Sequence, residues 1–105
     1  MSMSTIGVPL EGFGVYCRAA AAEGAVLLKN EGHMLPLKKE EMVSVFGRCQ
    51  FETYRSGTGS GGAVNVPYAV NIYDGMRESG SFTLNEELAD IYRAWLKDHP
   101  FDNGG

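Results

Sequence analysis

The chain has 105 residues, enough for one domain with a modest core. Its apolar and charged fractions, 44% and 21%, are those of an ordinary globular chain. Thirteen acids against nine Lys and Arg leave a formal charge of −4, which argues against a phosphate-backbone binder and against a polybasic membrane-surface segment. No apolar run approaches the ~20 residues of a membrane span. Met1 to Leu10 lacks the positive charge and continuous apolar stretch of a secretory signal. Cys17 and Cys49 are far apart in sequence and have no nearby partner pair. They are expected to be reduced thiols in a cytoplasmic protein rather than zinc ligands.

The first element is expected to be a helix over residues 12–31. Phe13, Tyr16 or Cys17, Ala20, Gly24, Leu27 and Leu28 recur at helical spacing. Gly24 weakens such a helix unless another backbone approaches it closely. Asn30 and Gly32 supply a stop, and Pro36 prevents resumption. Met42 to Gly47 reads as a short strand, with Val43, Val45 and Phe46 suited to burial on both faces, as in a parallel sheet. Residues 48–67 read as a loop centred on Ser56-Gly57-Thr58-Gly59-Ser60-Gly61-Gly62. Two helices follow. Ala69, Ile72, Tyr73 and Met76 stripe the first, which stops at Gly80. Leu84, Leu88, Ile91, Tyr92 and Trp95 stripe the second. Asn85 is its N-cap, Glu86 and Glu87 face the positive dipole end, and Pro100 ends it. A short extended link, residues 81–83, joins the two. The fold class is α/β with too few strands for a complete parallel sheet, so the chain reads as a single incomplete domain.

The loop Gly57-Thr58-Gly59-Ser60-Gly61-Gly62 satisfies the G-x-G-x-x-G pattern. Dinucleotide binding requires those glycines to follow a strand directly and open a helix. Here the strand ends near Gly47, and Pro67 separates the loop from the next helix. A nucleotide site is therefore disfavoured, no P-loop lysine is present, and no cofactor is expected. Glycines also let a backbone approach a neutral polar ligand closely. Thr58 and Ser60 offer hydroxyls, and Arg55 a fork of donors. The plain alternative is a solvent loop with no ligand. His33 and His99 read as surface residues, His99 complementing a helix C-terminus. Glu40-Glu41 and Glu86-Glu87 read as solvated or capping pairs. Trp95 reads as core. No metal site and no Ser/His/Asp set is legible.

The succession A-A-A-E-G-A-V-L-L-K-N-E-G-H-M-L-P-L (residues 20–37), V-S-V-F-G-R (43–48), S-G-T-G-S-G-G (56–62) and F-T-L-N-E-E-L (82–88) resembles the start of the α/β-sandwich domain of glycoside hydrolase family 3, which includes β-glucosidases. The similarity covers about residues 12–98, leaving 1–11 as an N-terminal extension and 99–105 as a loop. It implies part of a three-layer α/β sandwich, partnered by a barrel domain of the same enzyme. It also implies a retaining mechanism on a β-glucoside or related oligosaccharide. The family's nucleophile is an aspartate in a Ser-Asp-Trp type motif of the barrel. None of Asp74, Asp90, Asp98 and Asp102 stands in such a motif. The family's acid/base glutamate lies later in the sandwich, beyond residue 105. No catalytic residue is therefore assigned here. The resemblance carries over a sugar-contacting glycine loop: Arg55, Gly57, Thr58, Gly59 and Ser60, with Ser60 the chief hydroxyl. The family's usual form is a tighter Gly-Gly-Gly-Ser run, interrupted here by Thr58. A start so close to the sandwich's first helix resembles the subgroup with the sandwich placed first; a piece from the middle of a conventional, barrel-first member would look the same. The alternative function is a stand-alone, non-catalytic α/β binding or interaction module. Either way, exposed apolar faces and an unpaired strand edge lead us to expect self-association.

Overall fold

The computed structural model describes residues 7–54 and 66–101. It comprises two compact units, residues 1–35 and 36–105.

In the first unit, helix α1 spans Phe13–Gly24. Ala19 to Ala22 are strong helix formers. The helix opens without a side-chain cap, on Gly12 at φ 79°, and the Phe13 amide donates to the Leu10 carbonyl. It ends seven residues sooner than its periodicity suggests. Gly24 is entropically costly in a helix, and Ala25 turns extended at ψ 130°. A Cβ on Gly24 would meet nothing within 4 Å, so among the described residues no backbone approaches it. Leu27 and Leu28 lie beyond the helix, and no α1 side chain is buried.

Asn30 is not the helix stop. Its Nδ2 donates to the Leu35 carbonyl at 2.8 Å, and its Oδ1 accepts from the Leu35 amide at 3.0 Å. This two-point clamp closes a turn that contains the 3-10 segment Glu31–His33, with Gly32 at φ 76° and His33 at φ 53°. The K-N-E-G-H-M-L-P-L stretch is thus a self-contained turn, built on one amide side chain that pairs with backbone as a strand would.

The second unit holds a two-stranded parallel sheet. Strand β1 is Met42–Val43 and β2 is Thr83–Leu84, in register Met42 to Thr83 and Val43 to Leu84. The Thr83 amide donates to the Glu41 carbonyl at 3.0 Å, and the Asn85 amide to the Val43 carbonyl at 2.8 Å. The residues read as a bare link therefore contain the start of the second strand. Burial along 42–46 alternates: Val43 and Val45 are half-buried, Met42, Ser44 and Phe46 exposed. The expected burial on both faces is not found: within the second unit Val43 and Val45 pack against the buried centre, while Met42, Ser44 and Phe46 are exposed.

Helix α2, Ile72–Ser79, lies in the crossover between the strands. Asn71 caps it, accepting from the Asp74 amide at 2.7 Å, and Gly80 closes it at φ 64°. Helix α3, Glu86–Asp98, opens on Asn85, whose Oδ1 accepts from the Leu88 amide at 3.2 Å. Both caps follow the preference for a short polar acceptor ahead of the orphan amides. The buried centre is Tyr73, Leu84 and Ala89, with Val43, Val45, Phe51, Met76 and Phe82 packed against it. The inward face of α3 is rotated from its apolar stripe. Ala89 is buried, Leu88 and Tyr92 half-buried, and Ile91 and Trp95 exposed. Leu84 belongs to β2 rather than to the helix, and Ala69 and Ile72 are exposed.

Candidate functional site

Arg55, Gly57, Thr58, Gly59 and Ser60 lie outside the described residues. What is described is the frame on which that segment is mounted. The backbone leaves β1 through Gly47, at φ 97° and ψ 147°, a conformation open essentially to glycine alone. The Tyr92 hydroxyl on α3 accepts the Gly47 amide at 3.0 Å. A 3-10 turn, Arg48–Gln50, follows. Gln50 is 2% exposed, and its Nε2 donates to the Val45 carbonyl at 3.0 Å and the Gly47 carbonyl at 2.8 Å. One buried amide thereby fixes the bend by which the chain turns out of the sheet. Its Oε1 is buried without a partner among the described residues.

Beyond the turn, Phe51 packs its ring on Tyr73 of α2 at 4.9 Å between centroids. Thr53 Oγ1 donates to the Cys49 carbonyl at 2.6 Å and accepts from the Ile72 amide at 3.0 Å. The two ends of the glycine-bearing stretch are thus fastened together at its base. Phe51, Glu52, Thr53, Ala69, Val70 and Asn71 line a hollow of about 180 Å³ there.

Arg48 organises a neighbouring cluster. Its Nε donates to Glu52 Oε2 at 2.8 Å and its Nη2 to the His99 carbonyl at 2.9 Å. The guanidinium also lies 5.7 Å from the ring centroids of Trp95 and Phe101. The His99 ring stacks on Trp95 at 4.2 Å, and its Nδ1 is 2.9 Å from the Trp95 carbonyl. His99 does sit at the helix C-terminus as expected. Trp95 is not core: it is 47% exposed and lines an apolar hollow of about 420 Å³ with Arg48, Ile91 and Tyr92.

Several carboxylates are engaged in ion pairs. Glu52 pairs with Arg48, Glu86 with Arg77 and Arg93, and Asp90 with Arg93. Arg93 also lies 4.8 Å from the Phe51 ring centroid and 5.1 Å from that of Tyr73. Burial pushes the Tyr73 phenol above its usual pKa. The Glu86 carboxylate acts in the same direction, and Arg77 opposes it. Cys17 and Cys49 are free thiols on exposed residues. Among the described residues no group of His, Cys, Asp and Glu could hold a metal ion, and no helix is long and apolar enough to cross a membrane. The arrangement can hold a loop and offer hydroxyl, amide and aromatic contacts. Sequence reasoning missed Gln50 and Thr53, because a single polar residue in a loop carries no periodic signal.

Residues 25–97 match the glycosyl hydrolase family 3 C-terminal domain. A β-glucosidase of Ruminococcus albus is 51% identical over 83 residues, which is 79% of this chain and 9% of that protein. β-Glucosidase A of Butyrivibrio fibrisolvens is 36% identical over 80 residues, 75% of this chain and 10% of its own. The crystal structure of a β-glucosidase from Paenibacillus barengoltzii superposes with a TM-score of 0.85 at 66% identity, covering 94% of this chain and 11% of that one. β-Glucosidase 3B from Thermotoga neapolitana, solved in complex with α-D-glucose, gives a TM-score of 0.72 at 40% identity, covering 85% of this chain and 12% of that one. The chain therefore spans about a tenth of the length of these relatives. With the sequence match running from the α1 exit to the end of α3, the chain belongs to glycosyl hydrolase family 3, in the family's C-terminal α/β-sandwich domain.

Proposed function

We propose that the chain is a segment of a retaining β-glucosidase-type glycoside hydrolase and supplies a glycine-rich wall to its sugar site. The carrying observation is the 66% identity, over 94% of the chain, to a β-glucosidase of known structure. In this reading the segment belongs to a three-layer sandwich that faces a barrel domain of the same enzyme. The substrate is a β-glucoside or related oligosaccharide. Arg55, Gly57, Thr58, Gly59 and Ser60 contact the sugar, and both catalytic carboxylates come from elsewhere in the enzyme. The described frame supports this: Gln50, Thr53 and the Phe51–Tyr73 contact hold the stretch that carries those residues.

The test is kinetic. The 105 residues alone are expected not to hydrolyse an aryl β-glucoside, since retention needs two carboxyls ~5 Å apart in one pocket. In the longer enzyme, Ser60→Ala is expected to lower kcat/KM about 2- to 13-fold, the worth of one neutral hydrogen bond. Gly59→Val is expected to cost more, because a β-branched side chain blocks close approach and resists positive φ. Wild-type kinetics for both variants would reduce the loop to a spacer.

A further inference from the structure

We propose that the apolar hollow on α3 is the seat of the polypeptide that follows Phe101 in the longer enzyme, which folds back over it. The inference rests on the reading of this chain as a segment of such an enzyme. Ile91, Tyr92 and Trp95 of α3 and Arg48 of the turn after β1 enclose about 420 Å³. That is the volume of a binding pocket, whereas voids inside a packed core rarely exceed one water molecule. Ile91 is 61% exposed, so among the described residues the hollow has no covering layer. The polar groups on its walls are already engaged. The Tyr92 hydroxyl holds the Gly47 amide, and Arg48 binds Glu52 and the His99 carbonyl. A small polar ligand needs free, convergent polar groups to orient it. This hollow offers chiefly hydrocarbon and ring faces, which suit an apolar stretch of polypeptide. The end of α3 points to which stretch. The His99 ring stacks on Trp95, the His99 carbonyl accepts from Arg48, and the Phe101 ring lies against Arg48 and edge-on to Tyr54. Whatever follows Phe101 therefore starts at the wall of the hollow. The two superposed β-glucosidases hold ample polypeptide for this, since the matched part is 11% and 12% of their chains. A segment tethered so close acts at an effective concentration in the millimolar range, which a second copy at micromolar concentration does not match.

Photocrosslinking in the full-length enzyme identifies the occupant. With Ile91→p-benzoylphenylalanine, irradiation and peptide mapping are expected to give an intramolecular adduct within about 15 residues after Phe101, the usual upper length of a connection. Ile91→Asp puts a charge into the hollow. It is expected to quicken amide exchange in that same stretch at least about tenfold, with exchange in α3 unchanged. If the benzoyl ring blocks folding, the exchange measurement carries the test. An adduct on the barrel domain or on a second copy, or no adduct in the folded variant, overturns the inference and leaves the enzyme reading standing. Unchanged exchange after Phe101 in Ile91→Asp does the same. A gene that stops at residue 105 removes the enzyme reading, and this inference with it.

Discussion

Tyr73 carries the largest buried side chain of the described residues, at 1% exposure, and its hydroxyl has no hydrogen-bond partner there. The ring fills the space between α2 and Phe51, while the hydroxyl carries a desolvation cost, with Glu86 and Arg77 acting on it in opposite directions. Tyr73→Phe keeps the packing and removes that cost. Denaturant unfolding at pH 7 should show the variant unchanged or more stable by up to about 1 kcal/mol. The pH dependence has a definite sign. Burial and Glu86 raise the folded-state pKa above the ordinary value of 10.0. Above pH 10 the folded state holds this proton more firmly than the unfolded state does. The phenol's contribution is therefore full below pH 10 and is lost as pH rises through the raised value. Unfolding titrations between pH 9 and 11 should show a steeper loss in wild type than in Tyr73→Phe. Equal slopes would place the alkaline sensitivity elsewhere. None of this was legible in the sequence, where Tyr73 was one apolar residue in a stripe and its polar end had no visible environment.

Among the elements, the two helices of the second unit owe their boundaries to residues that sequence pattern reads well. Asn85 caps α3 as expected, and Gly80 ends α2 at φ 64°. A Cβ at Gly80 would meet nothing within 4 Å, so the cost of Gly80→Ala is backbone strain alone. That substitution should lose about 1–2 kcal/mol by thermal or denaturant unfolding, and Gly80→Asn less, since asparagine tolerates the left-handed region. Asn85→Ala should lose about 1 kcal/mol through the missing cap, with some further loss because Asn85 Nδ2 also donates to Ser44 Oγ at 3.0 Å beyond β1. The α1 boundary was less legible. Helical spacing continues through Leu27 and Leu28, but periodicity says nothing about whether the backbone can pay for Gly24 in mid-helix. The extended link before α3 was misread in part for a different reason. Thr83 and Leu84 become strand only because the Glu41 and Val43 carbonyls, across the sheet, accept the Thr83 and Asn85 amides on either side of Leu84.

For the whole molecule, apolar side chains left outside matter most. Leu28 is 91% exposed, and Phe46, Ile91 and Trp95 are also exposed. Among the described residues the sheet has two strands, so each presents an outer edge. Such edges and faces favour association with another chain. The 105 residues alone are therefore expected to associate, and sedimentation velocity should show a weight average that rises with concentration. A concentration-independent monomer with a cooperative melt would contradict this. The sequence by itself determined the three helices and the first strand in their order, the caps at Asn85 and Gly80, and the family, because these rest on local propensities and on a linear succession of motifs. Only the tertiary structure decided which face of α3 turns inward, that Gln50 and Thr53 hold the base of the loop, and that Trp95 stands at the surface. Ile72 for Thr53 and Arg48 for Trp95 are partners distant along the chain, and Gln50 meets the Val45 and Gly47 carbonyls only because the chain bends back on itself at Gly47. No single stretch of sequence records which donor a distant acceptor will meet.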